Sequence, residues 1–338
     1  MKTTCLRFTA PNPVVRHTAL FILIAALLMA GLTSLAFAQT GPRVWLETTH
    51  GPIVLELDSE KAPITTENFL NYVNEGFYDG LIFHRVIAGF VIQAGGFDRN
   101  LNFISPTQAT IKSEAGNGLS NEPYSIAMGL VGGDVDSAQA QFYINAGDNN
   151  FLDDDYTVFG EVVAGQATVD RINQLITVGL QNIGDGVPLE LPAILWAKQT
   201  SQFPLMPLHT GSWYNEATSG TGFNIEITHD ASTESGPLAI VYWYDFDQGQ
   251  QIWLTGVKAF EWGDHRVKID LVTANYPIAG ADFRQPPVNS EFESWGTLEI
   301  EFSSCARGQV RFDSPQRGQS VIDVVRLSLP VGAGCDTL

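Results

Sequence analysis

The sequence predicts a mainly β protein in two domains behind an N-terminal leader, and three observations carry that prediction. Its 338 residues exceed what one average core needs. Short apolar runs recur between clusters of Gly, Asn, Asp and Pro at strand-and-turn intervals, and only two segments carry helical periodicity. Aromatic residues are unevenly spread. Between Trp213 and Phe312 lie 16 of the 36 aromatics and five of the seven tryptophans, so the two halves have different textures.

Residues 1–38 read as an export signal. Lys2, Arg7 and Arg16 precede the apolar run Ala19 to Leu32, and Ala36-Phe37-Ala38 supplies a small-residue cleavage pattern before Gln39. The alternative is an uncleaved anchor, for which the apolar run is short of the roughly 20 residues a span needs. Beyond it, "RVWLETTHGPIVLELD" predicts two strands about the turn His50-Gly51-Pro52. In the second, Ile53, Leu55 and Leu57 face a core and Val54, Glu56 and Asp58 face away. "APITTENFLNYVNEG" predicts a helix with Phe69, Tyr72 and Val73 on one face and Gly76 as its stop. "GQATVDRINQLI" predicts a second, with Val169, Ile172 and Ile176 together. The first domain is placed at 42–200. The segment 201–208, in "TSQFPLMPLHTG", has prolines and no periodicity and is read as a linker. Residues 209–338 read as an aromatic-rich, all-β domain in which "LAIVYWYDF" and "QIWLTGV" flank the turn Asp247-Gln248-Gly249-Gln250.

Charge narrows the partners. Loss of the leader removes three of the 18 basic residues and none of the 37 acidic ones, leaving 15 against 37. Nucleic acid and anionic lipid are therefore poor partners, with no nucleic-acid ligand expected, and no stable membrane insertion is expected after cleavage. The leader also takes Cys5. The remaining Cys305 and Cys335 suit one disulfide in an exported chain, or two free thiols. No CxxC or Cys/His cluster offers a metal site, and no cofactor is called for.

The segment "FHRVIAGFVIQAGGF", Phe83 to Phe97, sets a lone cation, Arg85, among apolar residues and glycines. With "IKSEAGNGLSN", "SIAMG" and "QFYINAGDNNFLDDDYTVFGEVV" it resembles, in order, the signature blocks of the cyclophilin family of peptidyl-prolyl cis/trans isomerases. The likeness extends from about Val44 to Lys198 and is strongest to the exported bacterial members. It implies a cyclophilin-like eight-stranded antiparallel barrel capped by two helices, acting on proline-containing polypeptides. Arg85 falls on the family's catalytic arginine. Phe90, Val91, Gln93, Gln141, Tyr143, Leu152 and Tyr156 fall on substrate-contacting positions, with Phe151 where many members have tryptophan. Gly129 stands where alanine is usual, Val91 for methionine and Tyr143 for phenylalanine, which is expected to bring a hydroxyl to the pocket floor.

The chemistry suits those residues. Rotation about an X–Pro bond removes amide resonance and leaves a basic nitrogen, which a fixed, permanently charged guanidinium can hold. A surface ion pair is the alternative role for Arg85. His84 is read as structural rather than as a proton donor, and Asp153-Asp154-Asp155 as a solvated turn rather than a calcium loop. The functional reading is an isomerase of periplasmic or secreted chains that assists their folding. The alternative is a non-catalytic protein of the cell envelope that binds proline peptides or glycans. The second half resembles an aromatic-rich β module of exported proteins without established activity. Its tryptophans suit a filled core or a platform for a glycan or an envelope partner.

Overall fold

The computed structural model describes residues 41–328 apart from 219, 229–235, 248 and 276–290, so the predicted leader and Cys335 lie outside the described residues. The first half comprises β1 (Arg43–Thr48), β2 (Gly51–Leu57), α1 (Pro63–Asn74), β3 (Arg85–Ile87), β4 (Val91–Ala94), β5 (Ser125–Met128), β6 (Phe142–Asn145), β7 (Val158–Ala164), α2 (Gln166–Asn173), β8 (Thr177–Leu180), β9 (Gly184–Pro188) and β10 (Ile194–Thr200). Eight of these strands form one antiparallel sheet in the order β10-β1-β2-β7-β5-β6-β4-β3. An Ile82–Ala193 bridge joins the segments leading into β3 and β10, closing the sheet on itself. The β8–β9 ribbon is separate.

Period-two alternation turns Ile53, Leu55, Val86, Ile92, Phe142 and Ile144 into the core, where Phe69 and Tyr72 of α1 and Val169 and Ile172 of α2 cover them. Helix α1 opens on Pro63, whose missing N–H costs nothing there. Its first free donors are satisfied from a distance, since the Glu114 carboxylate accepts from Ile64 N and Thr65 N at 3.0 and 2.8 Å. Gly76, at φ 69°, ends the segment as predicted.

Helix α2 is shorter than its pattern suggested. It stops at Asn173, and Ile176 is 72% exposed instead of joining Val169 and Ile172. The cause is the root of the β8–β9 ribbon, where Ile176 O accepts from Leu189 N at 2.9 Å and draws the chain off the helix axis. Asn173 uses the early stop to hold the β3–β4 turn. Its Oδ1 accepts from Gly89 N at 2.8 Å and its Nδ2 donates to Ile87 O at 2.9 Å.

The second half contains β11 (Gly211–Tyr214), β12 (Gly222–Thr228), β13 (Leu238–Asp247), β14 (Gln250–Ala259), β15 (Arg266–Asn275), β16 (Glu291–Phe302), β17 (Arg307–Ser314) and β18 (Gly318–Arg326), closed into an up-and-down barrel in chain order. Aromatics fill it. Trp213, Trp243 and Trp295 are buried, and the rings of Trp243 and Trp295 meet edge-on at 5.1 Å. Trp253 instead lies outside, 60% exposed, against Tyr244 at 4.8 Å. Cys305 is buried and disulfide-bonded.

The predicted linker is packed. Phe203, Leu205 and Met206 are buried, and Leu205 N donates to Asp264 O at 2.7 Å. Beside it the two barrels meet on a tryptophan seam. Trp45 of β1 is fully buried, with Trp196 of β10 at 4.9 Å and Trp262 of the β14–β15 loop at 5.4 Å. Val54, expected on a solvent face, is buried here because it packs into the same cluster as the second barrel's core.

Glu47 lies beside this seam, its Oε2 accepting from Trp45 Nε1 at 3.0 Å. Burial, against the help of that hydrogen bond, pushes its carboxyl up to about 7. The folded state therefore holds a proton that the unfolded chain releases near pH 4.5. Stability should fall as pH rises between these values, by on the order of 2 kcal/mol. Chemical denaturation at about pH 5 and about pH 8 should show that loss, and Glu47→Gln should remove it. Equal pH dependence in the variant would contradict the assignment.

Candidate functional site

The candidate site is one row across the outer face of the first sheet. Arg85 pairs with Gln93, Gln93 with Tyr143, and Tyr143 with Ala127. Ala127 pairs in turn with Val158. Since neighbouring residues on these strands point to the core, the row points outward as a consequence of the pleat. Arg85 heads it on β3, Gln93 follows on β4, and β6, β5 and β7 complete it.

Along this row lies a small apolar cluster separate from the barrel core. It consists of buried Val91, Ala127, Tyr143 and Val158, flanked by half-buried Phe90, Leu119, Leu152 and Tyr156. Tyr143 and Tyr156 meet edge-on at 5.8 Å. Phe151 is 73% exposed and stacks parallel to Phe90 at 6.0 Å, extending the wall outward. The result is a shallow greasy groove with a cation at one side.

The cation is held loosely. The Arg85 guanidinium carbon lies 5.9 Å from the Phe90 ring centroid. Its Nη1 approaches Gln93 Oε1 at 3.5 Å, the long limit of a hydrogen bond. Gln93 is better fixed, donating from Nε2 to Gln141 Oε1 at 2.8 Å. Gln141 is confined by two glycines, because a Cβ at Gly96 would meet its side chain at 3.0 Å and one at Gly129 would lie 3.2 Å from its Cβ. Gly129 N also donates to Gln141 O at 2.8 Å. The guanidinium thus keeps donors to offer, while its neighbours are aligned by a glutamine relay.

Tyr143 differs from the expectation drawn for it. Its hydroxyl points under the groove, donating to Asn121 Oδ1 at 2.8 Å, so the floor above it is ring carbon. Asn121 Oδ1 also accepts from Asn145 Nδ2 at 3.1 Å. Burial raises the phenol above its ordinary pKa, and it stays neutral.

Asp153 departs from the solvated turn read in the sequence, although Asp154 and Asp155 are exposed. Its Oδ1 accepts from Asn121 N at 2.7 Å and Asn121 Nδ2 at 2.9 Å, and its Oδ2 from Ser120 Oγ at 2.5 Å. Burial pulls its carboxyl up, but these hydrogen bonds outweigh it and hold the group below its usual range. Asp153 thereby ties the rim carrying Phe151 and Leu152 to the polar layer beneath the floor.

His84 lies inside the barrel wall, against Phe97 at 4.7 Å. Burial, aided by the Arg85 charge and opposed by hydrogen bonding to the Ile82 backbone and the Gln141 side chain, lowers its pKa to about 4. It is a neutral imidazole near neutrality. Ala127, Val158, Leu119 and Asn121 were not singled out from sequence. The first two were within reach, because "SIAM" and "TVFGEVV" each alternate and their outward residues fall on the Arg85 row once the strands pair.

Residues 43–195 match the family model described as cyclophilin type peptidyl-prolyl cis-trans isomerase/CLD. Peptidyl-prolyl cis-trans isomerase A of Dickeya dadantii is 44% identical over 171 residues, covering 48% of this chain and 87% of that one. Peptidyl-prolyl cis-trans isomerase cyp18 of Streptomyces antibioticus is 47% identical over 163 residues, covering 46% of this chain and 96% of its own. Peptidyl-prolyl cis-trans isomerase B of Escherichia coli is 44% identical over 155 residues, covering 44% and 93%. The family match ends before the second barrel begins.

Proposed function

This chain belongs to the cyclophilin-type peptidyl-prolyl cis-trans isomerases and is a peptidyl-prolyl isomerase; on that premise we propose that Arg85 is its electrophilic donor and that its clients are exported polypeptides. The observation that carries the first part is the cross-sheet row, with a charged donor at its head and an apolar floor beyond. A proline ring seated over Val91, Tyr143 and Leu152 would bring its ring nitrogen toward the guanidinium. In the planar ground state that nitrogen shares its lone pair with the carbonyl and accepts poorly. At the twisted state the lone pair is localised, and the hydrogen bond strengthens just where the barrier is highest.

Magnitudes divide the work. The uncatalysed bond turns over in tens to hundreds of seconds, and reaching milliseconds requires about four decades, or roughly 5–6 kcal/mol. One charged hydrogen bond supplies about 1.5–3 kcal/mol. The rest falls to the floor and to Gln93, which exclude water and hold the peptide in register with the guanidinium.

His84, with its pKa lowered to about 4, stays neutral across this window, so kcat/KM should vary less than about twofold from pH 6 to 8. A bell-shaped profile with a limb in that window would instead implicate an ionising group. The export reading is supported by the leader pattern and by an acidic chain that carries a disulfide-bonded cysteine. Cell fractionation with N-terminal sequencing tests it. The mature chain should start at Gln39 outside the cytoplasm, and an intact Met1 in the cytosol would end that proposal.

A further inference from the structure

The β8–β9 ribbon is fixed at its root and bare along its outer strand. Asn173, at the end of α2, ties the chain that enters it to the β3–β4 turn. On the returning strand Gly186, at φ 88°, lies against β3. A Cβ there would meet Ile87 Cδ1 at 2.6 Å and Val86 O at 2.9 Å, so glycine alone permits the approach. Val187 and Pro188 beside it are buried. The outer strand and the ribbon root differ. Ile176 and Leu189, joined by the bond from Leu189 N to Ile176 O, are 72% and 65% exposed, and Val178 and Leu180 are 38% and 36% exposed.

Number and position together say what this apolar surface is for. Single exposed apolar residues are ordinary, but four between Ile176 and Leu189 on one ribbon ask for cover. A two-stranded ribbon has too little surface to cover them itself. As to position, Arg85 and Ile87 share the outer face of β3, with Val86 turned inward between them, and Ile87 pairs with Val91 of the groove floor. Floor, Ile87 and ribbon are therefore contiguous, and the exposed residues prolong the surface that seats the prolyl bond. Charge argues against a second copy of this chain as the occupant. The chain has a net charge of −19, and residues 176–190 carry Asp185 and Glu190 with no Lys or Arg, so two copies meeting here would repel.

We propose that the β8–β9 ribbon is an accessory docking surface for the client polypeptide, holding apolar residues that flank the prolyl bond while that bond occupies the groove, a role that rests on the reading of the groove as the seat of that bond. An extended segment rises about 3.3 Å per residue, so a client leaving the groove past Ile87 reaches the ribbon within a few residues. Apolar side chains buried there add affinity without touching the twisted bond, and their effect falls on KM rather than on kcat. Clients with apolar residues near proline are thereby favoured over polar ones.

The test uses the full mature chain and three proline substrates. One is a tetrapeptide, which fills only the groove; one is a peptide of about twelve residues with Val and Leu on both sides of its proline; the third has Ser in place of those residues. The long apolar peptide is expected to show a KM about tenfold below that of its Ser counterpart. The triple variant Ile176→Ser/Leu180→Ser/Leu189→Ser should remove most of that difference and leave kcat, and its kcat/KM for the tetrapeptide should stay within about twofold of the parent. The conservative set Ile176→Leu/Leu180→Ile/Leu189→Ile should keep the difference. Fluorescence anisotropy of the labelled apolar peptide, with Arg85→Ala as background, separates this proposal from the role given to Arg85, since the triple change should still weaken binding about tenfold there. Full turnover by Arg85→Ala alongside that loss would count against the Arg85 role alone and support the ribbon. An unchanged KM difference in the triple variant, or an equal loss for the Ser peptide, would overturn the proposal. So would a sedimenting dimer of the parent that the triple variant abolishes, which would assign the exposed residues to a second copy.

Discussion

Replacing Arg85 with alanine is expected to lower kcat/KM for a proline tetrapeptide, in a protease-free assay, by about 10- to 100-fold, while the fold stays intact. The magnitude follows from one charged hydrogen bond of about 1.5–3 kcal/mol, made chiefly at the twisted state. The side chain is half-buried on the outer face and its closest polar partner, Gln93, keeps a separate bond to Gln141, so its removal leaves no buried group stranded. Arg85→Lys should recover little, because an ammonium cannot reproduce the planar fork. A rate within about twofold of the parent for Arg85→Ala would mean that the apolar floor alone does the work.

Trp45→Ala carries the largest expected loss of stability, about 3–5 kcal/mol by chemical denaturation. The indole is fully buried between Trp196 and Trp262, and its Nε1 donates to Glu47. Truncation would open a cavity at the junction of the two barrels and strand a half-buried carboxylate. The proposed prolyl groove lies on β3, β4, β6, β5 and β7, none of which pairs with β1, so kcat/KM measured well below the unfolding transition should stay within about twofold of the parent. A variant with unchanged stability would mean that the seam contributes nothing to holding the barrels together. Loss of activity with the fold intact would mean that the seam and the groove are coupled.

The residues that face the groove were legible because they obey period two. Within "FHRVIAGFVIQAGGF" the inward Val86 and Ile92 mark Arg85, Val91 and Gln93 as outward, and family resemblance then assigned them roles. What period two cannot report is which strands become neighbours. The row from Arg85 to Val158 depends on β6 lying between β4 and β5, a pairing set by the packed barrel. The direction of the Tyr143 hydroxyl was hidden for a related reason. Its partner Asn121 lies 22 residues away, in a loop that carries no periodic signal.

Two other features depended on long-range contacts. Val54 reads as a solvent-facing residue of an alternating strand, and it is buried because the second half of the chain packs over that face. Ile176 fits the α2 stripe by spacing, yet the ribbon that follows pulls it out to solvent. In the second barrel the excess of tryptophan suited either a filled core or a ligand platform, and Trp213, Trp243 and Trp295 are the ones that fill the core. It could not foresee that Trp262 would lie outside that core to meet Trp45.

If the Arg85 guanidinium acts on the twisted bond rather than on the bound peptide, its removal should change the rate on the enzyme and leave affinity nearly unchanged. Two-dimensional exchange NMR on a proline peptide at saturating enzyme measures both directly, since it yields affinity and on-enzyme interconversion rate together. Arg85→Ala should bind with affinity within about threefold of the parent and show an on-enzyme rate lower by about tenfold or more. Weakened affinity with an unchanged on-enzyme rate would contradict it.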